Sequence, residues 1–319
     1  MESKKIKKVE LHVHLDGSIR PSTISEYMNI SVDEAKDLLI AKDKCEDLNE
    51  YLTKFDLPVK FMQTKEELIR VAKELVEDLI EDNCIYAEIR FAPNKHTEKL
   101  SLDEVVESAL AGLKSEYLKT GLILCMMRGD SFEDNKNIID LASKYLKKGV
   151  VGIDLAGAEA LFKTNDYKDL FAYAKSLNIP FTIHAGEADG VCSIEDAISF
   201  GAKRIGHGVR SIESEECLNL IKKNDILLEV CPTSNIQTNT FASINDHPIK
   251  YLKEEGVPVS INTDNRTVSN VTLSLEYDKL MSTFGFNQND FDEMNESAIK
   301  HAFISENEKR ELLEKLKRK

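Results

Sequence analysis

Eight short runs of β-branched and apolar residues recur along the chain, at 9–14, 85–91, 122–127, 150–155, 180–184, 204–206, 226–231 and 257–262, and stretches with helical spacing lie between them. This alternation predicts a parallel sheet with crossover helices, the α/β class. After the second run, successive strand ends are separated by about 23 to 36 residues, the length of a strand, two loops and a helix. Eight such units predict a closed (β/α)8 TIM barrel. The competing architecture is an open doubly wound sheet. Against it, no GxGxxG follows the first run, and polar residues fall at many strand ends rather than at one switch point.

The first crossover is unusual, because about 70 residues separate the first run from the second. Helical spacing is read at 22–28, 32–40, 48–61 and 65–81. In the last of these, Leu68, Val71, Ala72, Leu75 and Leu79 follow i, i+3, i+4 steps. A long insertion after a barrel strand lies over the catalytic face, so segment 16–84 is expected to act as a helical lid. Leu48, Tyr51, Leu52 and Phe55 would give it an apolar stripe facing the pocket, or an ordinary amphipathic face packed on the barrel. The end of the chain, 306–319, alternates charges with leucines as a solvated helix. With no linker, low-complexity tract or repeat, residues 1–319 read as one domain.

Composition narrows the partners. The 319 residues include 42 basic and 56 acidic ones, a net charge of -14, which disfavours a general attraction to nucleic acid or anionic membranes. A small neutral or cationic substrate fits better. The run Lys4-Lys5-Ile6-Lys7-Lys8 reads as a solvated lead-in to the first strand. No stretch reaches the roughly 18 apolar residues of a membrane helix, and no signal-peptide core follows the lysines, so a cytoplasmic location is expected. The six cysteines, Cys45, Cys84, Cys125, Cys192, Cys217 and Cys231, lack CxxC spacing. That argues against a disulfide framework or a thiolate metal site, and most should be reduced and buried. Cys231 is placed at a strand end near the site described next.

Four side chains carry the chemistry. His12 and His14 stand two apart in one strand and therefore point the same way. His184 ends the fifth run, and Asp264 follows the eighth. A lone HxH pair is weak, because histidines in strands are often ordinary core residues. All four, however, lie at the carboxyl ends of strands, where a barrel keeps its catalytic groups. Three imidazoles and a carboxylate suit one Zn2+ per chain with a position left for water, which then ionises near neutral pH. Three residues beyond His184 comes Glu187, after a glycine that permits a tight turn. His207 is bracketed by Gly206 and Gly208 and could be a base, a ligand or an orienting group.

The segments 9–17, 152–157, 184–187, 206–208 and 262–264 together resemble the adenosine and AMP deaminase family of zinc aminohydrolases, in order and spacing from near the first residue to the last. The resemblance implies that His12, His14, His184 and Asp264 bind Zn2+, that Glu187 is the proton donor, and that His207 orients the attacking hydroxide. It implies further that His14 lies against the substrate, that Gly157 offers its backbone N–H to purine N3, and that Asp16 bonds a ribose hydroxyl. Glu229 and Ser234 would support the ligands from behind. One departure stands out: many members carry two consecutive aspartates after the eighth strand, the second contacting purine N7, whereas here Asp264 is followed by Asn265. An amide can donate to N7 at any pH, whereas a carboxyl must first be protonated.

The implied reaction is hydrolytic deamination of adenosine and 2′-deoxyadenosine to the inosine nucleosides and ammonia, in purine salvage or catabolism. AMP is disfavoured, because Asp16 would repel a 5′-phosphate. The alternatives are deamination of a related 6-aminopurine such as adenine or aminofutalosine, hydrolysis of an ester or cyclic amide on the same barrel, and a non-catalytic nucleoside-binding protein. The expected partner is a small purine nucleoside, with no nucleic acid and no membrane. Oligomeric state is not readable from the sequence, which is compatible with a monomer.

Overall fold

The computed structural model describes residues 2–318; Met1 and Lys319, at the two ends of the domain read from the sequence, lie outside them. Eight parallel strands form the centre: β1 (Lys8–His14), β2 (Cys84–Phe91), β3 (Lys119–Met127), β4 (Val150–Ala156), β5 (Thr182–Ala185), β6 (Arg204–His207), β7 (Leu227–Val230) and β8 (Val259–Ile261). Two ladders run β1-β2-β3-β4 and β5-β6-β7-β8. They are joined where Ile153 N–H donates to Pro180 O at 3.0 Å beside a parallel bridge from Ile153 to Phe181. At the other seam Val13 bridges Asp264, with His14 N–H on Asp264 O at 2.7 Å and Asp264 N–H on His12 O at 2.9 Å. Both seams closed, the eight units make a (β/α)8 barrel, as the strand spacing predicts.

Every residue of β1 and β2 is buried, because the strands have a helix layer on one face and the barrel interior on the other. Alternation then sorts the side chains. Val9, Leu11, Val13, Ile85 and Ile89 lie in apolar clusters. Glu88, Arg90, Asp154, Arg204 and Glu229, all 0% exposed, meet one another instead in a polar layer. Arg90 contacts Asp154 Oδ2 and Glu229 Oε2, each at 2.8 Å, and Arg204 contacts Glu229 Oε1 at 2.6 Å and Glu88 Oε2 at 2.5 Å. Each buried carboxylate in this layer thus has a guanidinium partner, the condition under which a charge tolerates burial.

Between β1 and β2 come α1 (Pro21–Met28), α2 (Val32–Leu39), α3 (Leu48–Leu52), α4 (Asp56–Lys60) and α5 (Lys65–Glu81). The bounds of α5 match the sequence reading. Thr64 and Glu67 form a capping box at its start, and Leu68, Val71, Ala72, Leu75, Val76 and Leu79 are buried. The helix expected over 48–61 is broken instead. Pro58 has no N–H to donate to the turn before it, and a short 3-10 turn, Thr53–Phe55, separates α3 from α4. The insertion is pinned where Ala41 N–H donates to Val268 O and Cys45 N–H to Gln237 O, both at 2.8 Å.

All six cysteines are free thiols; five are buried and Cys192 is exposed. Cys231 does not end a strand, as the sequence suggested. β7 stops at Val230, and Cys231 precedes the helix Pro232–Gln237, whose proline starts a helix readily because its first N–H has no helical partner to lose. Among the described residues no helix is long and apolar enough to cross a membrane.

Candidate active site

The ends of β1, β5, β6 and the loop after β8 converge. One ligand atom from each of His12, His14, His184 and Asp264 lies within 4.8 Å of the others. Asp264 Oδ1 is 3.3 Å from His12 Nε2 and 3.4 Å from His14 Nε2, and His14 Nε2 is 3.4 Å from His184 Nε2. His12 Nε2 is buried without a hydrogen-bond partner. Three imidazole nitrogens and a carboxylate oxygen turned on one point, in a buried site, are a donor set that fits a metal ion. Burial brings His14 down to about 3, so it stays neutral and free to coordinate.

The backs of the ligands are anchored in the polar barrel layer. His12 Nδ1 lies 2.9 Å from Glu229 Oε2, and His184 Nδ1 lies 2.9 Å from Asp154 Oδ2. Arg90 spans the same two carboxylates, so one buried guanidinium holds both in place. Ser234 Oγ donates to Asp264 Oδ2 at 2.6 Å. Such contacts fix ring orientation and ligand basicity. Asp264 and His207 both adopt left-handed backbone, φ 57° and 62°, which costs a non-glycine residue about 1–2 kcal/mol and is held by the closed barrel around them.

Glu187 is carried by the turn after β5, where Gly186 at φ 72° takes a conformation that side chains resist and leaves room for Ile194. Thr238 Oγ1 donates to Glu187 Oε1 at 3.0 Å, and Asn235 Nδ2 lies 3.5 Å from the same oxygen. Burial, then the negative charges of Asp264 and Glu159, push this carboxyl well above its ordinary value. His207 Nε2 stands 3.4 Å from Glu187 Oε2, and burial holds this imidazole well below its ordinary value.

A cavity of about 360 Å³ opens onto these groups, within the usual size of small-molecule sites. Its walls include His14, Asp16, Gly157, His184, Glu187, His207, Asp264 and Asn265, and from the insertion Leu48, Tyr51, Leu52 and Phe55. Every residue read from the sequence as a metal donor, catalytic group or pocket group is therefore on the cavity wall except His12, which lies fully buried beside it, as do the expected supports Glu229 and Ser234. Asp16 Oδ1 is buried and lacks a partner. Asn265 Nδ2 donates to Tyr51 Oη at 3.0 Å, and Tyr51 Oη lies 2.6 Å from Ser269 Oγ. The Asn265 carboxamide fills the space where any side chain on Gly17 would stand.

Sequence reading gave no role to Asp154, Arg90, Glu159, Asn235 or Thr238. Charged residues at alternate positions of strands that are otherwise apolar, as in Glu88 and Arg90, were the available signal for the first two. Glu159 had none, for its partners, four backbone N–H groups and the Ser193 hydroxyl, lie 27 to 34 residues further along the chain.

The comparisons with known proteins agree with this geometry. A family profile described as adenosine deaminase matches residues 7–319. An adenosine deaminase of Enterococcus faecalis is 42% identical over 98% of this chain and 96% of its own, and one of Haemophilus ducreyi is 41% identical over 96% and 94%. The crystal structure of Arabidopsis ADAL complexed with IMP superposes with a TM-score of 0.87 at 27% identity, covering 99% of this chain and 98% of that one. With a profile match over nearly its whole length and relatives above 40% identity, this chain belongs to the adenosine deaminase family.

Proposed function

We propose that the protein catalyses the zinc-dependent hydrolytic deamination of adenosine and 2′-deoxyadenosine to inosine and 2′-deoxyinosine, with release of ammonia. The observation that carries this reading is the convergence, on one cavity, of a three-histidine, one-aspartate donor set with a buried carboxyl, Glu187, and a buried imidazole, His207. The names of the relatives support adenosine as the substrate.

His12, His14, His184 and Asp264 would hold one Zn2+. When bound, the metal supplies a water acidified to near neutrality. Glu187, its proton retained by burial, delivers that proton to purine N1, which leaves C6 electron-poor. C6 gains its oxygen from water, the hydroxyl proton of that oxygen passes to N6, and the C6–N6 bond breaks to release ammonia, while the other proton of the water restores Glu187. His207 faces the reacting oxygen. The unpartnered Asp16 oxygen takes a ribose hydroxyl, Gly157 offers its N–H to N3, and Asn265 meets N7. Asp16 also supports a nucleoside over a nucleotide, since its charge would repel a 5′-phosphate.

In this reading residues 1–319 are one catalytic domain located in the cytoplasm, and segment 16–84 is its lid. The pinning of α3 to the loop after β8 through Tyr51 supports the lid, as does the place of Leu48, Leu52 and Phe55 on the cavity wall. The test is the ultraviolet absorbance change as adenosine becomes inosine, run beside adenine and AMP and in the variant Glu187→Gln. We expect turnover of adenosine, loss of at least about 10³-fold in the variant, consistent with removal of a general acid, and unchanged zinc content. No activity on any of the purines would refute the reading, and a normal rate in the variant would remove Glu187 from its role.

A further inference from the structure

His207 can meet a reacting oxygen with a bare nitrogen or with an N–H, and the two do opposite work. The surrounding hydrogen bonds choose between them. The backbone N–H of Ile249 can only donate, and it reaches His247 Nδ1 at 3.2 Å. His247 is 3% exposed and held near 3 by burial, so it is neutral, and its single hydrogen sits on Nε2. That nitrogen lies 3.3 Å from Asn235 Oδ1, which accepts. The Asn235 amide is thereby oriented, with Nδ2 facing His207 Nδ1 at 3.0 Å. An NH2 group cannot accept, so His207 Nδ1 must, and the hydrogen of His207 is on Nε2. This Nε2 is buried and makes no hydrogen bond, with Glu187 Oε2 standing 3.4 Å away.

We propose that His247 and Asn235 are positioning residues that hold His207 in its Nε2–H tautomer, so that His207 donates to the oxygen that attacks C6 instead of accepting its proton. The identity of that oxygen rests on the deaminase reading; the tautomer does not. The chain of bonds begins at a main-chain amide, whose direction nothing can reverse, and passes through a carboxamide and a ring that each transmit one sense only. Its end is a fixed donor aimed at developing negative charge, the arrangement that needs no reorganisation during reaction. Neither Asn235 nor His247 touches substrate in this scheme.

The test uses the zinc-loaded enzyme labelled with 15N-histidine, whose seven histidines allow assignment by substitution. Long-range 1H–15N spectra should show protonated Nε2 and bare Nδ1 at both His207 and His247. Asn235→Asp replaces the donor facing His207 by an acceptor of the same shape. It should move the hydrogen to Nδ1 and lower kcat by up to about 10⁴-fold, the loss seen when a catalytic imidazole is held in the wrong tautomer, with KM within about threefold. His247→Leu removes the donor to Asn235 and should lower kcat at least about tenfold, whereas His247→Gln, which keeps an N–H there, should recover most of that loss. A wild-type spectrum with His207 protonated on Nδ1 overturns the proposal even if no variant folds. So does an Asn235→Asp enzyme whose tautomer is unchanged, or a His247→Leu enzyme with full kcat. If the spectra are as stated but no purine nucleoside is deaminated, the functional reading fails while the positioning of His207 stands.

Discussion

Glu159 offers a stringent check on how the proposed proton donor, Glu187, is held. It reaches from the loop after β4 to the loop after β5, where Oε1 accepts from Gly186 N–H and Ser193 Oγ, each at 2.6 Å. Oε2 accepts from the N–H groups of Glu187, Ala188 and Asp189 at 3.0, 2.7 and 3.2 Å. All five partners donate, so the side chain must be an acceptor throughout, and Glu159→Gln keeps its shape while turning one oxygen into a donor. With the amide oxygen in the Oε2 position, residues 187–189 keep a neutral partner and the Ser193 hydroxyl can turn to accept. The Gly186 N–H, however, then faces another N–H. An orphaned buried donor costs about 1–3 kcal/mol, and weakening three charge-assisted bonds to neutral ones about 0.5–1 kcal/mol each, so we expect a loss of about 2.5–6 kcal/mol. For a chain of this length that lowers Tm by about 4–9 °C. Because Glu187 lies inside the loosened loop, displacement of its carboxyl by about 1 Å should lower kcat about 100-fold. Calorimetry and the adenosine absorbance assay read the two effects separately. A Glu159→Gln enzyme with wild-type Tm and kcat would refute this account of how Glu187 is placed.

Three further outcomes follow from the same geometry. Stripping the metal with a chelator should abolish turnover and lower Tm, since a ligand held only by the folded state adds RT ln(1 + [L]/Kd) to stability; added zinc should restore both, and full activity of metal-free protein would count against the tetrad. 7-Deazaadenosine, which has a C–H in place of N7, should lose about 10- to 100-fold in kcat/KM, the worth of one buried hydrogen bond; efficient turnover would take Asn265 out of the N7 role. Acid should destabilise the fold through His247, whose folded value is about 3 against about 6.5 in the unfolded chain. The unfolded state then binds the extra proton between those values, so the contribution is complete above about pH 6.5 and falls by about 1.4 kcal/mol per pH unit below it, about 2 kcal/mol by pH 5. Denaturant midpoints at pH 7 and pH 5 should therefore differ less in His247→Gln than in the wild type; equal differences would show that His247 does not titrate in this way.

The strands and the helix α5 were legible, and the candidate site residues could be named, because their signals are local or sequential. Helical spacing with a capping box defines Lys65–Glu81 within a few turns of chain, and alternation puts His12 and His14 on one face. The four candidate metal donors could be named through the order of the motifs that carry them. A helix across 48–61 was not, because apolar spacing outweighed Pro58 in that reading, whereas the missing N–H decided the backbone. The supports of the site were hidden for another reason. Arg90 finds Asp154 64 residues away and Glu229 139 residues away, and Glu159 holds backbone groups 27 to 30 residues beyond it. In a sequence a charge destined for a barrel interior looks like a charge destined for solvent. The sequence by itself therefore determined the periodicities, the donor types and the family, because these reside in short windows and ordered motifs. Only the tertiary structure decided which buried charges pair, which groups face His207, and how deeply the Glu187 carboxyl is buried. Those depend on distances of about 3 Å and on exclusion of water, and both come from strand register and barrel closure rather than from any stretch of chain.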